Sequence, residues 1–298
     1  MPCCLHILAA IGMISLTSML CADDISYKLV SDFPQWPAGM KSGAVSGVAI
    51  DATGEIVVAH RSGPPISIFT KEGVHIRSFG EKIFASVHGV RVDGDNHIWA
   101  TDMKWHIVVK MEMTGRVLMT LGERDVPGDD KKHFNRPTDV AIASNGDIFV
   151  ADGYGNSRIV KFDRDGKFLK SWGGRGTGKG LLHLPHAMVI DARAQIYVAD
   201  RENNRIQVFD IEGGFIRQFG GFTPYGLCLG PDEKLYVADG RKNKVMRMSR
   251  EGEVDVAWGM KAGKSGDFDL PHGIAVGADG SVYIAEINGE RLRKYEPH

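Results

Sequence analysis

The chain has 298 residues, 43% of them hydrophobic, enough to bury a sizeable core. Its 36 basic and 37 acidic residues leave a formal charge of -1, which removes the electrostatic grounds for a nucleic acid or an acidic membrane as partner. The 37 glycines follow neither a collagen period nor a low-complexity tract and point to tight turns recurring along the chain.

In chain order, Leu5 to Leu20 is apolar with small polar interruptions, and Ala22-Asp23 resembles a cleavage point. This predicts a signal peptide over residues 1–22 and an exported protein, periplasmic or secreted, with no transmembrane segment in its mature chain. Residues 23–298 are then one domain. Cys3, Cys4 and Cys21 leave with the leader, so only Cys228 remains and no internal disulfide is expected. Cys228 sits in the apolar run Gly226 to Leu229 and reads as a small buried hydrophobe.

The rest is a repeat of about 40 to 50 residues. Six short apolar strands begin at Ser46, His88, Thr138, His186, Tyr225 and His272. Each leads through a turn, such as Asp93-Gly94, Asn145-Gly146 or Asp279-Gly280, into a second strand of β-branched and aromatic residues, as at Asp147 to Ala151 or Lys234 to Ala238. That is hairpin patterning. A third strand follows, as at Arg158 to Phe162, and a fourth, as at Phe168 to Trp172. Four short antiparallel strands per unit make a propeller blade. The sixth unit stops at its third strand, Arg291 to Tyr295, while Tyr27 to Phe33 is left over after the leader. Pairing these two closes the ring and leaves no broken blade. The prediction is an all-β six-bladed β-propeller with four-stranded antiparallel blades, expected to be a monomer.

Histidine opens the innermost strand in blades two, four and six. Alternate blades of a closed six-fold ring lie about 120° apart, so His88, His186 and His272 converge on the axis. One such histidine is explained by a hydrogen bond within its own blade. Three at homologous places point to a metal, since neutral imidazole suits zinc, iron, nickel or copper and three nitrogens with one open position is a catalytic arrangement for zinc. His60, His133, His183 and His298 lack this placement and read as loop or terminal residues. Just after the second strands, at the same face, come Arg61, Asp152-Gly153-Tyr154 and Asp200-Arg201. An arginine fork suits a carboxylate, and a tyrosine beside a metal can relay a proton. Singly, Tyr154 could cap a turn and Arg201 could pair with Glu202 or Asp200. The run from Gly173 to Gly180 lacks phosphate-loop spacing and reads as a connection between blades. The five tryptophans recur mostly at strand positions and read as blade packing.

These repeats resemble NHL repeats. More narrowly, Pro137-Thr138-Asp139-Val140, the stretch from Asp152-Gly153-Tyr154 to Val160, Pro185-His186 and the stretch from Asp200-Arg201-Glu202-Asn203 to Gln207 resemble the catalytic core of peptidyl-α-hydroxyglycine α-amidating lyases. The resemblance implies cleavage of a C-terminal α-hydroxyglycine, in a peptide or a small compound, to an amide and glyoxylate. It implies a zinc ion on His88, His186 and His272, with Tyr154, Arg201 and Arg61 as the catalytic residues. Leu270 stands where the family has a methionine. Gly273 replaces the family's aspartate for a structural calcium, which puts that calcium in doubt and leaves mainly backbone carbonyls to hold it. No companion hydroxylating domain is read here, and the hydroxylated substrate is expected from elsewhere. Two other classes fit parts of the pattern: a metal-free NHL binding module, and a propeller hydrolase such as a lactonase. A lactonase would gather carboxylates around calcium, where this chain gathers histidines.

Overall fold

The computed structural model describes residues 25–259 and 268–298, and the predicted leader lies outside them. The described residues form six four-stranded antiparallel sheets around one axis. In chain order, the first five blades span residues 45–79, 87–121, 139–173, 185–220 and 224–258, and the sixth joins 271–297 to 27–29.

Each blade follows from its turns. In blade three the chain reverses at Gly146, which has φ 90° and whose N–H reaches the Ala143 carbonyl at 2.9 Å. A second reversal follows at Asp163, whose Oδ1 accepts the N–H groups of Asp165 and Lys167 at 3.0 and 2.9 Å. An Asx turn of this kind sets the register of the two strands it joins. Asp51, Asp93, Asp191 and Asp210 repeat the device in other blades.

The core lies between blades rather than within any one of them. One buried cluster joins Val57, Ile66 and Ile68 of blade one to Val90, Ile98 and Val109 of blade two, and equivalent clusters join every further neighbour pair around the ring. A blade alone would therefore leave both faces exposed, and ring closure is what buries them. The tryptophans belong to these interfaces, as the sequence suggested.

Closure uses the first described strand. Tyr27–Leu29 pairs antiparallel with Arg291–Pro297, Tyr27 opposite Pro297 and Leu29 opposite Tyr295. The Tyr27 ring stacks 4.3 Å from Trp258. The strand is shorter than the predicted Tyr27 to Phe33. Asp32 takes a left-handed φ of 57°, which turns the backbone out of the ladder, and Phe33 packs on Tyr283 with ring centroids 5.6 Å apart.

Five of the six innermost strands share one irregularity, which the blade-three strand Asp139–Ile142 lacks. Their pairing shifts between Val45 and Gly47, Val87 and Val90, Pro185 and Met188, Pro224 and Gly226, and Pro271 and Gly273. The shifts enclose Ser46, His88 with Gly89, His186 with Ala187, Tyr225 and His272. A bulge re-aims the side chain it carries, and here it aims toward the axis.

Candidate metal centre

The three predicted histidines meet on the axis. Their ring centroids are 4.7, 4.8 and 4.7 Å apart, their ligand atoms all lie within 4.8 Å of one another, and they are 2, 1 and 4% exposed. Each ring is locked by the next blade. His88 Nδ1 donates to the Thr138 carbonyl at 2.6 Å, His186 Nδ1 to Tyr225 at 2.7 Å and His272 Nδ1 to Ser46 at 2.7 Å. A carbonyl only accepts, so each Nδ1 carries the proton and each Nε2 presents a lone pair. That is the tautomer a metal needs. Burial holds all three imidazoles well below their usual pKa, with Arg61 and Arg201 adding positive charge nearby. The centre is therefore neutral and ready to ligate at ordinary pH.

Two donors stand against these lone pairs. Arg61 Nη2 is 3.0 Å from His272 Nε2. The Tyr154 hydroxyl is 3.2 Å from His88 Nε2 and 3.4 Å from His186 Nε2. Tyr154 reaches this point because the chain turns sharply at Gly153, where any Cβ would fall 2.1 Å from the Pro185 carbonyl oxygen. Arg201 places its guanidinium 5.5 Å from the Tyr154 ring and 4.8 Å from the Tyr225 ring. It also pairs with Glu202 at 2.9 Å, and Glu202 in turn holds Arg241 at 2.7 Å. Arg201 thus has the local partner that the sequence allowed for, and it still faces the centre. All six predicted site residues come together at one mouth. Beneath them the three histidines close a channel cavity of about 30 Å³ lined by the inner strands, with Arg61, Tyr154 and Arg201 outside its lining; it is too small for a substrate. A substrate has to sit above it, among Arg61, Tyr154 and Arg201. The donor set, with three neutral nitrogens held by outer carbonyls, fits zinc.

The channel does not fit calcium as well. A Cβ on Gly273 would lie 2.8 Å from Gly47 Cα and 3.0 Å from the Ser46 carbonyl oxygen, so no carboxylate can stand there. Asp139, which faces the channel, is engaged by Arg91 at 2.5 Å, and the same guanidinium takes the Leu227 and Met188 carbonyls at 3.1 and 3.2 Å. Those groups serve a guanidinium rather than a hard cation.

One histidine was misread. His60 is not a loop residue but the buried last residue of strand Ile56–His60, 1% exposed. Sequence reasoning also passed over Arg91, Arg136 and Tyr225. Arg136 lies 5.1 Å over the Tyr154 ring. Tyr225 occupies the same innermost position as the histidines, which was the signal available for it. Nothing in the repeat pattern marks Arg91.

Comparison with known proteins adds to this geometry. The NHL repeat model matches residues 134–162 and 182–209. The chain is 32% identical to peptidyl-glycine α-amidating monooxygenase B of Xenopus laevis, across 88% of this chain and 35% of that protein, so it spans about a third of that relative's length. It is also 32% identical to a probable peptidyl-α-hydroxyglycine α-amidating lyase of Caenorhabditis elegans, across 84% of this chain and 81% of that protein. Among solved structures, a streptogramin B lyase superposes with a TM-score of 0.65, covering 92% of this chain and 98% of the other at 19% identity. That last likeness is one of fold.

Proposed function

The chain belongs to the peptidyl-α-hydroxyglycine α-amidating lyase family, and from that premise we propose that it is a zinc-dependent lyase. Its substrate is a C-terminal α-hydroxyglycine, in a peptide or a small compound, and its products are an amide and glyoxylate. The observation that carries the reading is the convergence of three Nε2 lone pairs with Tyr154 and Arg61 directly against them. A binding module has no need of that set.

In the reaction the carbon–nitrogen bond breaks, the hydroxyl becomes the aldehyde carbonyl, and the hydroxyl proton ends on the amide nitrogen. His88, His186 and His272 would hold the metal, which supplies a Lewis acid for the substrate hydroxyl. Once their lone pairs are used in this way, Tyr154 and Arg61 lose those hydrogen-bond acceptors and turn to the substrate. Tyr154 lies close enough to relay the proton from hydroxyl to nitrogen. Arg201, held by Glu202, anchors the carboxylate that departs in glyoxylate, and Arg61 assists from the opposite side of the ring. Both arginines hold the substrate before any bond changes, and that positioning lowers the barrier.

The direct test is glyoxylate release from α-hydroxyhippurate by the zinc-loaded protein. No release across neutral pH would overturn the lyase reading. Export belongs to the same proposal. Protein recovered from its native host should begin near Asp23, and a cytoplasmic protein starting at Met1 would contradict it.

A further inference from the structure

The inner strand of each blade has no neighbour on its axial side, so some of its N–H and C=O groups point into the channel without a ladder partner. A narrow channel leaves those groups to be met by side chains. Beneath the three histidines one buried ion pair does this. Asp139 accepts the N–H groups of Val140 and Met188, each at 2.9 Å. Arg91 donates to Asp139 through Nε at 3.2 Å and Nη2 at 2.5 Å. Its Nη1 reaches the Leu227 carbonyl at 3.1 Å, and Nη2 the Met188 carbonyl at 3.2 Å. One guanidinium fork thus ties blade two to blades three, four and five.

Every one of these ties lands beside a group that sets a histidine. Arg91 lies on the same strand as His88, in its last turns before the hairpin. Asp139 follows Thr138, whose carbonyl holds His88 Nδ1 at 2.6 Å. Met188 lies on the strand of His186. Leu227 shares a strand with Tyr225, whose carbonyl holds His186 Nδ1 at 2.7 Å. His272 stands apart, because its ring is held from blade one by Ser46 and none of these ties reaches blades six or one. Arg91 also lines the cavity directly beneath the histidines, so the guanidinium forms its floor.

We propose that Arg91 is a positioning residue of the metal centre. Its fork fixes the inner strands of blades two to five against one another, so that the Nε2 atoms of His88 and His186 already converge with that of His272 before an ion arrives. Desolvating two charges offsets most of their attraction, so a buried pair of this kind adds little net stability. What it adds is geometry: a planar fork with fixed donor directions holds four strands in one arrangement, as a point charge on a flexible stem does not. This role rests on the metal reading of the centre and is independent of the reaction catalysed there.

The experiment measures zinc affinity by competition with a chelating dye, beside urea unfolding of the same metal-free variants. Arg91→Met removes the fork and should bind zinc about 10- to 100-fold more weakly, the range for groups that orient metal ligands. Arg91→Lys keeps a charge for Asp139 but cannot reach the Met188 and Leu227 carbonyls as well, and its loss should be smaller. Adding Asp139→Asn to Arg91→Met should weaken zinc no further, because the two side chains act as one unit. Arg250→Met is the control. That guanidinium lies 3.5 Å from the buried Asp191 carboxylate, in the hairpin turns at the other end of the strands from the histidines. It should lower stability and leave zinc affinity unchanged. Wild-type zinc affinity in Arg91→Met overturns the role and leaves the pair as a filler of the channel. If Arg91→Met does not fold, wild-type affinity in Arg91→Lys overturns it instead. An equal loss in Arg250→Met also overturns it, since any loosening of the fold would then suffice. A wild-type protein that takes up no zinc overturns the metal reading, and this role with it.

Discussion

Blades two, four and six and blades one, three and five place the same backbone position at the axis and use it differently. The even blades present His88, His186 and His272. The odd blades present Ser46, Thr138 and Tyr225, and their carbonyls hold the three imidazoles from the side. Two of the odd residues add a second tie, from Ser46 Oγ to the Val87 carbonyl at 2.8 Å and from Thr138 Oγ1 to the Pro185 carbonyl at 2.7 Å. So the candidate ligands come from one set of blades and their orientation from the other. The centre is a product of the closed ring, and no single blade contains it.

The largest effects should come from the even blades. Replacing His186 with alanine leaves two ligands, and elemental analysis after dialysis should find nearly all metal gone, with glyoxylate release at background. Metal content equal to wild type would break the comparison outright. Next comes Tyr154→Phe, on odd blade three. It should lower kcat by about 10² to 10⁴-fold while metal content stays whole. That pairing of results separates a proton relay from a ligand.

Arg201→Ala should follow, with kcat/KM down about tenfold to a hundredfold, the worth of charge-assisted hydrogen bonds to a carboxylate. A smaller effect is expected at the tie between blades. Thr138→Val removes Oγ1 but keeps the carbonyl that holds His88. Urea unfolding should show about 1 kcal/mol of lost stability, with metal and turnover close to wild type. Loss of the metal there would mean that the hydroxyl, rather than the backbone, sets the ring.

The mildest expected effect is on acid sensitivity. His60 is held at about 4 in the folded protein, below its ordinary 6.5. As pH falls, the unfolded chain binds that proton first. The stability linked to His60 is full above 6.5 and is lost progressively between 6.5 and about 4. Thermal unfolding across that window should slope less steeply for His60→Gln than for wild type.

Much of this protein is determined by its sequence alone. Turn residues such as Asn145-Gly146 and alternating apolar runs act over a few neighbours, so blade number, strand order and the closing strand at Tyr27 were legible. The histidines were legible because a repeat turns sequence position into angle around an axis. What only the tertiary structure decided involves contacts between blades distant in sequence. The bulges that aim His88, His186 and His272 inward are irregularities of pairing, and composition does not mark them. The carbonyl that selects the His272 tautomer is Ser46, 226 residues away. Arg91 fills the channel through groups from three other blades. His60 looked like a loop residue until its strand, its burial and its unmet Nε2 could be seen together. Hydrogen-bond partners of buried groups are chosen by which chain segments meet, and in a closed ring that choice is complete only when the last blade joins the first.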